Sequence, residues 1–319
     1  MNIVIIGAGS IGLLVAAKLA DVPGTNVTLV TRTAEQAKLL ESGLLLTRED
    51  RTVRKELACI SIAQAERTVQ SLADLSDWVF LTTKQTHVDG PLIRVIAAMV
   101  NGGANLLCFQ NGVGHVERLA EEGIPKERMY VAVTTEAAKK EAGNSVIHTG
   151  QGTTSIGSAY ACDDTEQSAH IAKVLGQGGM NSSAVPEMHE IIWTKLLINS
   201  VINPLTAIMR VRNGELTACP HTVALMESLY HEACAVLADA GIRTSERLWD
   251  QLLDVCEKTA GNTSSMLQDL LNGRTSEIDW INGSIIRLAR SQRLSVPTHE
   301  AVYQLVKGLE AQNRSHTPE

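Results

Sequence analysis

Asn2-Ile-Val-Ile-Ile6-Gly7-Ala8-Gly9-Ser10-Ile11-Gly12-Leu13-Leu-Val-Ala-Ala-Lys-Leu-Ala20 is the stretch that decides the fold. Residues 3–6 are apolar and β-branched, so the stretch 2–6 reads as a short buried strand. Three glycines in G-x-G-x-x-G spacing follow at once, and then a helix rich in small residues. In this strand–turn–helix context the glycine pattern has a physical meaning. Gly7 permits a tight turn, Gly9 lets the backbone approach a diphosphate, and Gly12 lets the helix pack closely on the strand. The helix N-terminus adds unpaired N–H groups and the positive end of a dipole. Residues Gly7, Ala8, Gly9, Ser10, Ile11 and Gly12 are therefore the expected dinucleotide loop. The plainer alternative is a glycine-rich turn in some other α/β domain.

A second strand follows at 26–31, and its end bears on the choice of cofactor. NAD sites usually place Asp or Glu here, to accept hydrogen bonds from the ribose 2′-hydroxyl. This chain has Thr31-Arg32-Thr33 instead. A guanidinium suits a 2′-phosphate, which it can grip with charge-assisted bonds, so the expected cofactor is NADP(H). The bland reading is a solvated surface arginine. Strand-like runs recur at 78–83, 105–109 and 129–133 with helical stretches between them. That alternation predicts a doubly wound parallel sheet. Ligands bind at the carboxyl edge of such sheets, where the loops read Lys84-Gln85, Gln110-Asn111-Gly112 and Thr134-Thr-Glu-Ala-Ala138. Lys84 is either a phosphate or substrate contact or an exposed loop lysine, and Asn111-Gly112 is by default a turn. Residues 44–58 and 145–158 read as hairpin or antiparallel extensions without chemistry.

The composition changes after Gly176-Gln-Gly-Gly179 and Asn181-Ser-Ser. Beyond Pro186 the long segments are helical, at 187–203, 221–240, 245–260, 265–272, 276–292 and 298–310. The expected architecture is α/β: an N-terminal Rossmann-type doubly wound domain over 1–186, followed by an all-α C-terminal domain over 187–319.

The first of these helices contains Trp193-Thr-Lys195-Leu-Leu-Ile-Asn199-Ser-Val-Ile-Asn203-Pro204. At 3.6 residues per turn, Asn199 lies one turn beyond Lys195 and about 40° around from it, and Asn203 one turn further. Leu196, Leu197, Ile198, Val201 and Ile202 make the rest of the surface apolar, so the helix is expected to be buried. A lysine and two carboxamides on one stripe of a buried helix are costly to desolvate without partners, which favours a functional site. The bland reading lets Lys195 snorkel while the asparagines bridge neighbouring elements. Pro204 is expected to break or kink the helix. Further on, Ser265-x-x-Gln268 fits a capping box, although a serine at a helix start can also bind a carboxylate. Glu277 reads either as a first-turn acid or as the counter-charge to Lys195 across an interdomain cleft.

Bulk properties narrow the function classes. The 28 basic and 35 acidic residues leave a net charge of −7, and no basic run or aromatic–basic interleaving points to nucleic acid. The six cysteines (59, 108, 162, 219, 234, 256) include no C-x-x-C pair, and the nine histidines are dispersed, so no metal site is expected. His231-Glu232 begins like a zinc-protease helix, but Ala235 stands where the second histidine belongs. The start shows no basic targeting segment, and no apolar run is read as membrane-spanning. A cytoplasmic protein with no membrane partner is the expectation.

Several stretches together resemble the ketopantoate reductase (2-dehydropantoate 2-reductase) family, from the N-terminus to about residue 310. They are the 7–12 loop, Thr83-Lys84, Gln110-Asn111-Gly112, Trp193-x-Lys195-x-x-x-Asn199-x-x-x-Asn203-Pro-Leu-Thr-Ala207, Asn213-Gly-Glu-Leu216, Asn262-x-Ser-Ser265-Met-Leu-Gln-Asp269 and Glu277-Ile-Asp-Trp-Ile-Asn-Gly283. The resemblance implies NADPH-dependent reduction of 2-dehydropantoate to pantoate, a step of pantothenate and coenzyme A synthesis. It implies Lys195 as proton donor, with Asn111, Lys195, Asn199, Asn203, Asn213 and the Ser265, Met266, Leu267, Gln268 turn binding substrate. The residues of the 7–12 loop, Arg32, Lys84, Asn111, Ala138 and Glu277 would line the cofactor side, Glu277 also serving catalysis. The partner would be a small 2-keto acid, and the protein a monomer or homodimer. Alternatives are a β-hydroxyacid or opine-type dehydrogenase, and a non-catalytic NADP-binding sensor.

Overall fold

Ile3, Val4, Ile5 and Ile6 are 0–3% exposed because β1 (Asn2–Ile6) runs through the middle of the principal sheet. The computed structural model describes residues 1–141, 143–160 and 165–315, so Cys162 lies outside the described residues. The other strands are β2 (Asn26–Thr31), β3 (Leu44–Arg48), β4 (Arg51–Lys55), β5 (Ala58–Ser61), β6 (Trp78–Leu81), β7 (Asn105–Cys108), β8 (Met129–Thr134), β9 (Ala137–Lys140), β10 (Ser145–Gly150), β11 (Thr153–Ser158) and β12 (Asn181–Ala184). The principal sheet has eight strands in the order β12-β11-β8-β7-β6-β1-β2-β5. From β5 to β8 every pairing is parallel, as the alternation of strands and helices predicts.

Beyond β8 the sheet departs from the all-parallel expectation. β11 pairs antiparallel with β8, and β12 pairs parallel with β11. Parallel neighbours need a crossover element, and the chain between β8 and β11 makes β9 and β10 rather than a helix, so it returns antiparallel. The helix Thr165–Gln177 then provides the crossover that makes β12 parallel to β11. The serine-rich 181–183 stretch is thus a strand rather than a linker.

A second sheet of four strands has the order β4-β3-β10-β9. Glu49 and Asp50, at φ 47° and 62°, make the tight turn of the β3–β4 hairpin, a conformation suited to twisted hairpins. The segments read as separate extensions therefore combine: β3, β4 and β10 join β9 here, while β5 and β11 belong to the principal sheet. This sheet includes a parallel rung, β10 on β3.

By its packing the chain divides into one unit of Met1–Gln110 with His115–Met188 and another of Asn111–Gly114 with His189–Glu319. The 111–114 loop is grouped by its packing with the second unit. Val113 packs on that unit's core, and its N–H donates to the Trp280 carbonyl at 3.4 Å.

Among its described residues the second unit contains helices and no strand. They are Met188–Met209, Pro220–Asp239, Leu248–Lys258, Ser265–Leu271, Asn282–Gln292 and Pro297–Ser315, with 3-10 turns at Asn213–Ala218 and Ile278–Trp280. The helix expected over 276–292 starts only at Asn282, because Ile281 (φ −102°, ψ −88°) breaks the helical path. Leu196, Leu197, Val201, Ile202 and Leu205 pack with Leu229, Val236, Leu252 and Ile285 in the core of this unit.

Pro204 does not end its helix, which runs unbroken to Met209. Proline cannot donate to the carbonyl four residues back, here that of Ser200. Asn282 supplies the missing donor, its Nδ2 lying 2.8 Å from the Ser200 oxygen. The same nitrogen donates to His299 Nδ1 at 3.1 Å, while His299 Nε2 donates to the Leu229 carbonyl at 3.0 Å. A carbonyl can only accept, so Nε2 carries the proton and Nδ1 is the acceptor. Ser200, Asn282 and His299 are fully buried, and that burial holds the His299 imidazole below its usual range. At 22 residues Met188–Met209 is also long and apolar enough to cross a membrane, contrary to the sequence reading. Its apolar residues form the core of the helical unit, and core helices meet the same length and composition test.

Candidate active site

In the first unit, the 7–12 loop is shaped by very close backbone contacts. A Cβ on Gly12 would lie 1.9 Å from the Gly7 carbonyl oxygen, so only glycine lets the helix Ser10–Leu19 start this close to β1. Thr82, just past β6, sets its hydroxyl 2.9 Å from the Gly7 oxygen and 3.0 Å from that of Ile6. Gly9 faces open space, and as N-cap it brings no side chain to the first-turn N–H groups. The hydroxyl oxygen of Thr83 is buried at this edge with no partner among the described residues. A backbone cradle, a helix start without a side-chain cap and an unmet hydroxyl fit the diphosphate of a dinucleotide.

Arg32 is exposed at the end of β2 and makes no hydrogen bond or ion pair among the described residues, so it is available to a ligand. Thr31 shapes the turn beneath it, donating to the Thr33 carbonyl at 2.8 Å. Lys84 is half-buried ahead of the 3-10 turn Gln85–His87. Ala138 is not on a loop after β8, as expected; it lies in β9, paired with His148 of β10.

In the second unit, Lys195 Nζ donates to Asn111 Oδ1 at 2.9 Å, and Asn111 Nδ2 faces Glu277 Oε2 at 3.4 Å. An ammonium only donates and a carboxylate only accepts, so the two partners fix the orientation of the amide between them. Burial lowers the Lys195 pKa to about 8, and the Glu277 charge opposes the fall. The lysine therefore keeps its proton at neutral pH yet can release it within reach of neutral pH. Lys195 and Glu277 belong to the same unit, so they do not pair across the two units as expected.

Two members of this triad, Asn111 and Glu277, have well-anchored neighbours. Asn111 is placed by Gly112 (φ +80°), where a Cβ would lie 2.4 Å from the Trp280 oxygen. Glu277 is flanked by Ser276, whose N–H and hydroxyl both donate to the buried Glu310 carboxylate at 2.8 and 2.7 Å. On its other side, Lys307 reaches Asp279 at 2.9 Å.

The remaining substrate candidates divide. Asn199 is half-buried and Asn203 is buried, on the same continuous helix as Lys195, and neither side chain is hydrogen-bonded among the described residues. Asn213 is buried; its Nδ2 donates to Thr259 Oγ1 at 2.8 Å, leaving Oδ1 without a partner among the described residues. The helix cap is Ser264 rather than Ser265: Ser264 Oγ accepts from Leu267 N at 3.1 Å and from Thr206 Oγ1 at 2.7 Å. Ser265 and Gln268 are exposed instead, with Gln268 Nε2 donating to the Thr263 carbonyl. The side chains of Met266 and Leu267 are buried among Ala207, Ile278 and Val306, which leaves only their backbone for a ligand.

Sequence reading missed Thr82 and Asn282. For Asn282 a signal existed, because a proline inside an apolar helix demands a donor from elsewhere.

The sequence family described as "Ketopantoate reductase PanE/ApbA" matches residues 3–160, and its C-terminal counterpart matches residues 187–310. The 2-dehydropantoate 2-reductase of Bacillus subtilis is 33% identical over 317 residues, covering 97% of this chain and 98% of its own. That of Vibrio cholerae is 33% identical over 315 residues, at 97% and 98% coverage. Among solved structures, the ternary complex of D-mandelate dehydrogenase with NADH and anilino(oxo)acetate superposes at a TM-score of 0.87, with 26% identity and 98% and 99% of the two chains covered. The crystal structure of a probable Bacillus subtilis 2-dehydropantoate 2-reductase does so at 0.78, with 30% identity and 97% and 100% coverage. With both family regions matched in order over most of its length, the chain belongs to the ketopantoate reductase family.

Proposed function

We propose that this protein reduces 2-dehydropantoate to pantoate with NADPH, Lys195 being the proton donor. The observation that carries the reading is the Lys195–Asn111–Glu277 triad, with the lysine pKa brought to about 8. When bound, the cofactor supplies a hydride to the keto carbon of the substrate. The Lys195 ammonium stabilises the negative charge that grows on the keto oxygen and gives that oxygen its proton. Asn111 orients the ammonium, and the Glu277 carboxylate favours the protonated lysine before the next turnover. Asn199, Asn203, Asn213 and the Ser265, Met266, Leu267, Gln268 turn are the proposed substrate contacts. The 7–12 loop, Arg32, Lys84, Asn111, Ala138 and Glu277 are the proposed cofactor contacts. Residues 1–186 and 187–319 are the proposed working domains, in a cytoplasmic monomer or homodimer.

A second reading comes from the likeness to D-mandelate dehydrogenase, whose complex holds NADH: reduction of another 2-keto acid with NADH. Following NADPH and NADH oxidation by absorbance against a panel of 2-keto acids tests both. Preference for 2-dehydropantoate with NADPH supports the first reading. Preference for an aryl 2-keto acid with NADH replaces it with the second.

A further inference from the structure

Lys140 stands at the end of β9, in the small sheet that the sequence reading left without chemistry. Two of its atoms engage the dinucleotide loop. Its backbone N–H donates to Ser10 Oγ at 3.0 Å, and its ammonium lies 3.0 Å from the Ala8 carbonyl oxygen. Ala8 and Ser10 flank Gly9, the residue that faces open space and caps the helix Ser10–Leu19. The first turn of that helix carries no acidic residue to oppose an anion. The strand is anchored as well: the Glu136 carboxylate, just ahead of β9, pairs with His148 of β10, and both side chains are buried. His148 is the cross-strand neighbour of Ala138. The small sheet therefore holds a cation against a loop whose geometry suits a diphosphate.

We infer that Lys140 is a cofactor-binding residue that supplies positive charge to the dinucleotide diphosphate, and that the small sheet serves to present it. The inference rests on the reading of the first unit as an NADP(H) site. Hydrogen bonding to Ala8 alone would make Lys140 a staple; a ligand contact requires its charge. The two roles separate in Lys140→Gln, which keeps a donor for the Ala8 carbonyl but removes the charge, with Lys140→Arg as the charge-retaining control.

Dissociation constants are measured without turnover, by fluorescence titration of NADPH and NADH and by competition with adenosine 2′-monophosphate, which has no diphosphate. Thermal melting checks that each variant is folded. Loss of a charged hydrogen bond predicts a dissociation constant about tenfold or more higher for NADPH and NADH alike in Lys140→Gln. Adenosine 2′-monophosphate affinity should not change, Lys140→Arg should stay near the wild type, and the salt dependence of NADPH binding should flatten in Lys140→Gln. Wild-type affinity in Lys140→Gln would overturn the inference and leave a staple. A loss confined to NADPH and adenosine 2′-monophosphate would overturn it in favour of a 2′-phosphate contact. Failure of the wild-type protein to bind either dinucleotide would remove the NADP(H) reading itself and the inference with it.

Discussion

The 7–12 loop and the Lys195 triad are built in opposite ways. The loop is contiguous in sequence, and its working groups are backbone N–H groups, with Gly12 chosen because there is no room for a Cβ. The triad joins residues 84 and 166 positions apart, and every working group is a side chain. Backbone donors keep their strength wherever the turn is made. A lysine ammonium does not: its pKa near 8 exists only because burial and Glu277 act on it together. The backbone geometry of the glycine loop is therefore largely a local property of this chain, whereas the pKa of Lys195 is a property of its tertiary packing.

That contrast would break most visibly at Lys195. Lys195→Ala should lower kcat by about 10²–10⁴-fold, the usual share of a positioned acid, and leave the NADPH dissociation constant unchanged. An equal loss in NADPH binding would show that the lysine also serves the dinucleotide. Arg32→Ala tests the other side. NADPH binding should weaken by about 1.5–3 kcal/mol, the worth of a charged hydrogen bond, while NADH binding stays as it was. Equal losses for both dinucleotides would show that the arginine does not recognise the 2′-phosphate.

The dependence of the triad on packing can be sharpened at Asn282, which touches neither proposed ligand. Asn282→Ala strands the Ser200 carbonyl and His299 Nδ1, so chemical denaturation should show a loss of about 1–3 kcal/mol. NADPH affinity should hold. Ser264→Ala should destabilise the protein by about 0.5–2 kcal/mol, as loss of an N-cap does, with the KM for the keto acid intact. Ser265→Ala should give the reverse pattern. If both serines behave alike, capping and substrate binding are not divided between them.

The smallest effect at neutral pH is expected from Glu277→Gln, and it is read in the pH–rate profile. With Lys195 as the proposed proton donor, activity should be present below its pKa of about 8 and fall as pH rises through it. Removing the Glu277 charge removes the influence that raises that pKa. The basic limb should therefore move to lower pH, and a limb that stays in place would detach Glu277 from the lysine.

Residues 2–20 determined by themselves the strand, the glycine turn and the helix, because hydrophobic period, turn geometry and close packing are all local matters. Residues 193–204 likewise determined a buried helix with Lys195, Asn199 and Asn203 on one stripe. Tertiary structure alone decided that Pro204 lies within the helix, because the donor that satisfies Ser200 comes from Asn282, 82 residues away. It decided that Ser264 caps its helix, since the Thr206 hydroxyl reaches that serine from another helix. It also decided that β9 brings Lys140 to the glycine loop, and that Asn111 belongs with the helical unit. In each case a polar group finds its partner far along the chain, and spacing within a segment carries no record of a partner that only folding brings near.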